Sequence, residues 1–179
     1  MYNFYKNEYV DFLLRASPFF IYLYIVLEYL LSFDKQNLFL FAGLFFGNIL
    51  NKLLKDFIFK PLMGDDKLPI VGKGSRPNGA KSCGLFKNDK LSKQYGMPSG
   101  HSQNIATFST FLFYKNESNY QPRSTKNIFN LILFTITFLT MYSRIIYNCH
   151  TVQQVIIGGI IGFIFGNVLW NNRHYSYLF

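Results

Sequence analysis

The stretch TVQQVIIGGIIGFIFGNVLW, residues 151–170, is mostly apolar and contains no charged side chain. A helix needs about 20 such residues to cross a hydrocarbon core of roughly 30 Å. Because the backbone inside a bilayer must satisfy its own hydrogen bonds, the stretch predicts a membrane-spanning helix. Four further apolar runs of comparable length predict the same structure: residues 17–33, 37–59, 99–114 and 127–146.

The composition agrees with a membrane protein of one domain. The chain has 179 residues, of which 50% are hydrophobic and 20% aromatic, too apolar for an ordinary soluble domain. We therefore predict an all-α integral membrane protein with about five transmembrane helices, formed by residues 17–179 and carrying one long loop at residues 60–97. Residues 1–16 suit either an interfacial helix on the bilayer or a soluble arm. The first span is expected to stay as an anchor, because Glu28 interrupts it and no small-residue cleavage site follows.

Charge and cysteine content limit the kinds of ligand. The formal charge of +9 comes largely from loops beside the predicted helices, where anionic lipid or phosphate is the expected partner rather than nucleic acid. Two cysteines, Cys83 and Cys149, are too few for a disulfide framework or a zinc set, so we expect free thiols and no metal or cofactor. A lumenal location would instead allow the two thiols to be oxidised. The sequence predicts no oligomeric state.

Alternation of the five spans places the loops. The long loop and residues 147–150 fall on one side of the membrane with the N-terminus, and residues 34–36 and 115–126 fall on the other. Thirteen of the 18 lysines and arginines lie on the first side, which the positive-inside rule would make cytoplasmic. Basic residues that hold a phosphate would produce the same bias, so both orientations stay open.

Three polar stretches that are distant in sequence meet on this first side: GSRPNGAK at 74–81, PSGHSQ at 98–103 and SRIIYNCHTVQQ at 143–154. They supply side chains suited to phosphate: Arg76, Ser99, Gly100, His101, Arg144 and His150. Arginine offers an oxyanion a charged, planar fork of donors. The helix start at Ser99 and Gly100 offers free N–H groups and a positive dipole end. Histidine can act as a nucleophile or exchange protons near neutral pH.

Helical spacing extends this set along two predicted spans. Small residues follow His150 and Gln154 at intervals of four, at Gly158, Gly162 and Gly166, a pattern that permits close helix packing in a membrane. A polar ridge of Ser99, Gln103, Thr107 and Thr110 runs along the third span and should face the interior of the bundle. Each feature alone has a simpler explanation, such as a helix cap for Ser99 or a snorkelling anchor for Arg144. Those explanations do not account for three such stretches on one face.

In these motifs the sequence resembles the type 2 phosphatidic acid phosphatase superfamily. The signature of that family is a lysine followed by Arg-Pro, then Pro-Ser-Gly-His, then Ser-Arg with a histidine after five residues. Arg76-Pro77, residues 98–101, and Ser143-Arg144 with His150 match this order. The family's lysine is usually separated from Arg-Pro by six residues, whereas twenty separate Lys55 from Arg76 here. We favour Lys55, with an insertion in the loop, over Lys60, Lys67 and Lys73.

The residue four after the last histidine narrows the resemblance. Many members have an aspartate there, whereas this chain has Gln154, whose amide can accept the ring N–H but carries no charge. YGMPSGHSQ at 95–103 together with HTVQQV at 150–155 is similar to the dolichyl diphosphate phosphatase branch. That branch implies a polyprenyl diphosphate substrate, cut to the monophosphate and inorganic phosphate, and a site facing the lumen of the endoplasmic reticulum.

The resemblance implies a metal-independent lipid phosphatase. His150 would form a phosphohistidine, Gln154 would orient it, and His101 would act as the acid and then the base. The phosphoryl oxygens would be bound by Arg76, Arg144, Lys55, Ser99 and the Gly100 backbone. Phosphatidate and other lipid phosphates are alternative substrates, and a non-catalytic lipid-phosphate-binding protein is an alternative from another class. A vanadate-dependent haloperoxidase has a similar site, but the membrane spans disfavour it.

Overall fold

A computed structural model describes residues 8–64, 67–68, 72–84, 88–92 and 94–178. Within these residues the α-helices are α1 Glu8–Arg15, α2 Ser17–Ser32, α3 Lys35–Leu53, α4 Lys60–Met63, α5 Gly100–Ser118, α6 Arg123–Ile146 and α7 Val152–Asn171. A π-helix, Leu54–Phe59, joins α3 to α4, and a 3₁₀-helix, Arg173–Leu178, follows α7. The long loop carries two short antiparallel hairpins, β1 Lys67–Leu68 with β2 Gly72–Lys73, and β3 Lys81–Ser82 with β4 Asn88–Leu91.

Side-chain caps fix where two of the helices begin. The Ser99 side chain accepts a hydrogen bond from the backbone N–H of Ser102 at the start of α5. At the start of α7, Thr151 and Gln154 form a reciprocal capping box. Both helix starts lie on the side of the long loop, and the backbone N–H of Ser99 donates to the backbone carbonyl of Gln154 at 3.0 Å, so the first residues of α5 and α7 lie next to each other.

Helix α5 is central to the bundle and packs against α2, α3, α6 and α7. Ile105 and Phe111 of α5 are buried together with Leu40 and Leu44 of α3 and Trp170 of α7. The outward faces of the surrounding helices carry exposed large hydrophobic residues, among them Leu131 and Phe138 of α6. An apolar exterior around a filled core is the arrangement expected of a helical bundle in lipid.

Among the described residues, three helical segments are long and apolar enough to cross a membrane: Lys35–Met63, Arg123–Ile146 and Val152–Asn171. They coincide with the predicted second, fourth and fifth spans. Helices also occupy the other two predicted positions, but α2 has 16 residues and α5 has a low mean hydropathy, so five spans are not confirmed. The polar residues that lower the hydropathy of α5 are buried between helices, including Ser102, Gln103 and Thr107.

The predicted glycine stripe packs directly against the predicted polar ridge. A Cβ atom at Gly158 would lie 2.5 Å from the Ser99 carbonyl oxygen, and one at Gly166 would lie 2.7 Å from that of Thr107. Between them, a Cβ at Gly162 would overlap the carbonyl oxygen of Gln103. Three glycines of α7 therefore lie against the carbonyls of the α5 cap and of two α5 residues at matching intervals of four, which brings the two backbones into contact.

Replacing Gly162 by alanine should destabilise the bundle, because the added methyl group meets backbone atoms of α5 that cannot rotate away. Overpacking of this kind costs roughly 1–3 kcal/mol or more. The measurement is the melting temperature of the purified protein in detergent. Gly47→Ala is the matched control, since its Cβ would lie 3.2 Å from the Phe165 ring, a side chain that can shift. An equal loss in both variants would contradict direct backbone packing at Gly162.

The N-terminal helix α1 contacts α2 and α6. It exposes Tyr9, Phe12 and Leu13, while the junction residue Ala16 is buried. Residues 1–7 lie outside the described part of the chain, so the interfacial helix predicted for residues 1–16 stays a prediction.

Candidate active site

A cavity of about 880 Å³ opens on the side of the long loop, between α2, α3, α5 and the loop itself. Five of the predicted site residues line it: Lys55, Arg76, Gly100, His101 and His150. They come from the π-helix, the loop, the start of α5 and the turn between α6 and α7. The structure thus brings together in one cavity groups that are up to 95 positions apart in sequence.

Gln154 fixes the orientation and the tautomer of His150. The amide nitrogen of Gln154 donates to the carbonyl oxygens of Lys73, Gly74 and Ser75, at 2.8, 3.3 and 2.8 Å. Its oxygen accepts from the backbone N–H of Thr151 at 3.2 Å and lies 3.0 Å from Nδ1 of His150. Because the oxygen can only accept, Nδ1 of His150 carries the proton and Nε2 keeps a free lone pair.

His150 is held neutral. Only 4% of its surface is exposed. Burial, together with the positive charges of Arg76, Lys55 and Arg144, lowers the pKa of His150 to about 3, against the opposing effect of its hydrogen bond to Gln154. The neutral imidazole is the form that can attack an electrophile, and the cations that depress its pKa are groups that attract an anion.

Arg76 is anchored by the backbone on both sides of the cavity. Its Nε donates to the carbonyl oxygen of Gln94, and its Nη1 donates to that of Cys149, each at 3.2 Å. Burial lowers the pKa of Arg76, but an arginine stays charged at neutral pH because its ordinary value is so high. These bonds hold a charged guanidinium close enough to His150 to lower its pKa.

Lys55 is the candidate lysine whose charge lowers the pKa of His150. It lines the cavity, as Lys60 does further along the same helical segment. Lys73 instead donates to the side chain of Asn78, and its backbone carbonyl accepts from Gln154. The side chain of Lys67 lies outside the described part of the chain.

Ser99 caps α5 and is not among the residues that line the cavity. It is fully buried, and its hydroxyl accepts a hydrogen bond from the Ser102 hydroxyl at 2.9 Å. Its backbone N–H donates to the backbone carbonyl of Gln154. Ser99 is therefore the helix cap of α5, and the adjacent Gly100 is the residue that reaches the cavity. A Cβ at Gly100 would lie 3.2 Å from the amide oxygen of Asn51, so the small residue leaves the start of α5 open.

Arg144 is also set back from the cavity wall. It is fully buried, and it donates to Ser143 Oγ at 3.0 Å and to the carbonyl oxygen of Leu14 at 2.8 Å. Its charge nevertheless lies close enough to lower the pKa of His150. Arg144 therefore acts on the site through its charge, and its hydrogen bond to the Leu14 carbonyl links the site to α1.

The prediction of free thiols is wrong, because Cys83 and Cys149 form a disulfide bond. The bond joins the long loop to the turn that carries His150, across 66 positions of sequence. Cys83 also lines the cavity, and the Cys149 carbonyl is the acceptor for Arg76. The disulfide therefore holds the loop that carries Arg76 close to His150.

Breaking this bond should loosen the loop and lower stability. A disulfide that closes a long loop contributes about 2–4 kcal/mol, chiefly by restricting the unfolded chain. We expect dithiothreitol to lower the melting temperature of the protein. The Cys83→Ser/Cys149→Ser double variant is the control, and it should melt lower than the oxidised protein and not respond to the reductant, since the chain has only these two cysteines. Equal melting temperatures with and without reductant in the native protein would contradict a structural role.

Several cavity residues were not predicted as site residues. Asn48, Asn51 and Lys52 of α3 and Asn104 of α5 also line the cavity. Asn51 donates to the side chain of Gln103 at 2.8 Å and so links α3 to α5 below Gly100. The available signal was their spacing, since polar residues three and four positions apart in an apolar span mark a face turned away from lipid.

Comparisons with known proteins agree with these motifs. The family described as the PAP2 superfamily matches residues 36–178 of the chain. The chain is 27% identical to Dolichyldiphosphatase 1 of Homo sapiens over 157 residues, which cover 83% of this chain and 58% of the relative. It is 33% identical to Dolichyldiphosphatase of Saccharomyces cerevisiae over 86 residues, covering 46% and 36% of the two chains.

A third relative has a different printed name. The chain is 35% identical to Lipid phosphate phosphatase gamma of Arabidopsis thaliana over 75 residues, or 40% of this chain and 33% of the relative. The chain thus spans about a third to just over half of the length of these relatives, and no solved structure gives a significant match. Because the family match covers most of the sequence and includes every site motif, the chain belongs to the PAP2 superfamily.

Proposed function

We propose that this protein is a lipid phosphatase that removes the terminal phosphate of a polyprenyl diphosphate through a phosphohistidine. The observation that carries the proposal is the pairing of a neutral, oriented His150 with His101 and with two cations, Arg76 and Lys55, in one cavity. The names of the human and yeast relatives favour a dolichyl-type lipid as the substrate.

The reaction would proceed in two steps. Nε2 of His150 attacks the terminal phosphorus, the bond from phosphorus to the bridging oxygen breaks, and His101 gives a proton to that oxygen. The products of this step are a phosphohistidine and the lipid monophosphate. His101 then takes a proton from water, the resulting hydroxide attacks the phosphorus, and the bond to Nε2 breaks, which releases inorganic phosphate and restores both histidines.

The cations would stabilise the charge that develops on the phosphoryl oxygens. Arg76 and Lys55 would bind these oxygens directly, with backbone N–H groups at the start of α5 beside Gly100. Arg144 would add positive potential from behind the cavity wall. These groups offer the charge compensation that other phosphatases obtain from metal ions, and we therefore propose turnover without a metal.

The lipid chain would leave the cavity sideways, into the bilayer. Pro18 and Tyr22 of α2 also line the cavity. We propose that α2 and α5 cross the membrane together with the three longer helical segments, giving five spans, and that the isoprenoid passes beside α2. Only the head group then needs to reach His150.

We propose that the site faces the lumen of the endoplasmic reticulum or of another internal membrane. The support is the disulfide between Cys83 and Cys149 on the active-site face, since such bonds persist in oxidising compartments. In this orientation the excess of lysine and arginine on the same face serves phosphate binding rather than membrane topology.

The test is phosphate release by the purified protein in detergent with EDTA present. A polyprenyl diphosphate, the matching monophosphate and phosphatidate are compared side by side. Release that is fastest from the diphosphate supports the proposal. Faster release from phosphatidate would assign a different lipid phosphate, and retention of lipid without release from any of them would favour a binding protein. Loss of activity in EDTA that added metal restores would contradict the metal-independent mechanism.

A further inference from the structure

We propose that Lys52, together with the amides of Asn48 and Asn104, forms a second anion subsite that holds the inner phosphate of a diphosphate substrate. This subsite deepens the proposed function and rests on it. All three residues line the same cavity as His101 and His150. It would make the protein select a diphosphate over a monophosphate.

The position of Lys52 on α3 is the first step of the argument. Lys52 precedes Lys55 by three residues and follows Asn48 by four, so all three lie on one face of the helix. Since α3 runs toward the long loop, Lys52 lies about one turn nearer the bilayer than Lys55. A second lysine therefore lines the cavity, with its backbone about one helical turn below that of Lys55, the lysine assigned to the terminal phosphate.

Helix α5 supplies polar groups at the same depth. Asn104 follows His101 by three residues, about one turn further from the loop. Its amide nitrogen donates to the Asn48 oxygen at 2.7 Å, and the Asn48 nitrogen donates to the Tyr22 hydroxyl at 2.9 Å. Each amide nitrogen has a second N–H that these bonds do not use, so both amides can also serve an anion.

The direction of the reaction places the inner phosphate here. In the proposed mechanism His101 protonates the oxygen that bridges the two phosphates, so the inner phosphate lies beyond His101 as seen from His150. The lipid chain continues from it toward Pro18 and Tyr22. In a diphosphate, an anion with about two charges would occupy the space between His101 and Tyr22, whereas a monophosphate would place the uncharged chain there.

The remaining charges of the cavity lie on its outer side. Asp56 and Lys60 follow Lys55 along the same segment, toward the loop, and both line the cavity. Asp56 follows Lys52 by four residues and precedes Lys60 by four, so its carboxylate is spaced to reach either lysine, and Lys52 is the one nearer the bilayer. Lys52 is thus the cation placed for the inner phosphate. Lys60 carries the same charge but lies nearer the long loop, so it offers a matched control.

The experiment measures kcat/KM for phosphate release from a polyprenyl diphosphate and from the monophosphate of the same chain length. We expect Lys52→Ala to lower the value for the diphosphate about 10- to 100-fold, the usual effect of losing a charge-assisted hydrogen bond. The loss for the monophosphate should be at least tenfold smaller. Lys52→Arg should restore most of the preference, and Lys60→Ala should change both substrates by the same small factor.

The outcomes separate this subsite from the proposed function. Equal losses for both substrates in Lys52→Ala, or the same change in preference in Lys60→Ala, would show general attraction of anions and overturn the subsite. In each of these cases, release from the diphosphate by the wild type would leave the proposed function intact. Absence of wild-type release from the diphosphate would overturn both.

Discussion

Replacing His150 by alanine should lower phosphate release from a polyprenyl diphosphate by at least about 10⁴-fold, because the reaction then lacks its nucleophile. Arg76, Lys55 and His101 would still bind the substrate, so the loss should fall on kcat and leave KM within a small factor. The measurement is steady-state release of inorganic phosphate in detergent. His174→Ala is the matched control, since His174 is the remaining histidine of the chain and is exposed beyond α7.

The same replacement should leave the protein folded. Gln154 keeps its bonds to Thr151 and to the loop carbonyls when the imidazole is removed. The His150 pKa is about 3 in the folded protein and about 6.5 in an unfolded chain, so the unfolded state binds an extra proton between these values. Through His150, wild-type stability should therefore fall as the pH drops below about 6.5, by up to about 1.4 kcal/mol per pH unit, and His150→Ala should lose this contribution and show a shallower dependence on pH.

A covalent intermediate gives a second readout of the role of His150. Substrate labelled in the terminal phosphate should transfer label to the wild-type protein in a form that is stable to alkali and labile to acid, as expected of a phosphohistidine. His150→Ala should acquire no label. Labelling or full turnover in that variant would exclude His150 as the nucleophile and make His101 the candidate.

Much of the architecture was predictable because it follows from periodicity. The apolar runs indicated the positions of helices α2, α3, α5, α6 and α7, and intervals of four residues indicated that Gly162 belongs to a closely packed face of α7. The number of spans was harder, since α5 buries polar side chains between helices. A hydropathy window treats those side chains as if they faced lipid.

The rest of the site depends on tertiary structure that the motifs do not encode. Ser99 and Arg144 match the family motif as well as His150 does, yet the fold turns Ser99 into a cap and sets Arg144 behind the wall. The pairing of Cys83 with Cys149 depends on where a long loop folds back. Lys52 belongs to no sequence motif, and its position in the cavity follows only from how α3 packs against α5.

The side-chain amide of Gln154 both accepts and donates hydrogen bonds, which an ionised carboxylate cannot do. One end of its amide accepts from His150 and Thr151, and the other end donates to three carbonyls at residues 73–75 of the loop. An aspartate or glutamate would strengthen the first contact by adding negative charge near an imidazolium. It would also place an acceptor against the three carbonyls, where only a donor fits.

Gln154→Glu should therefore lower kcat/KM at pH 8 by about 10²- to 10³-fold, at least as much as Gln154→Met, which has similar length and no hydrogen bonds. The reason is that three buried hydrogen bonds, each contributing about 0.5–1.5 kcal/mol, become repulsive contacts that displace the loop carrying Arg76. Burial beside carbonyls should raise the pKa of the new carboxyl group, so that protonation restores a donor as the pH falls. Measured from pH 5.5 to 8.5, the activity of Gln154→Glu relative to Gln154→Met should rise toward acid. If a negative charge beside His150 contributed more to catalysis than the contact with the loop, the activity of Gln154→Glu would equal or exceed that of the wild type at pH 8. That result would contradict the donor role of Gln154.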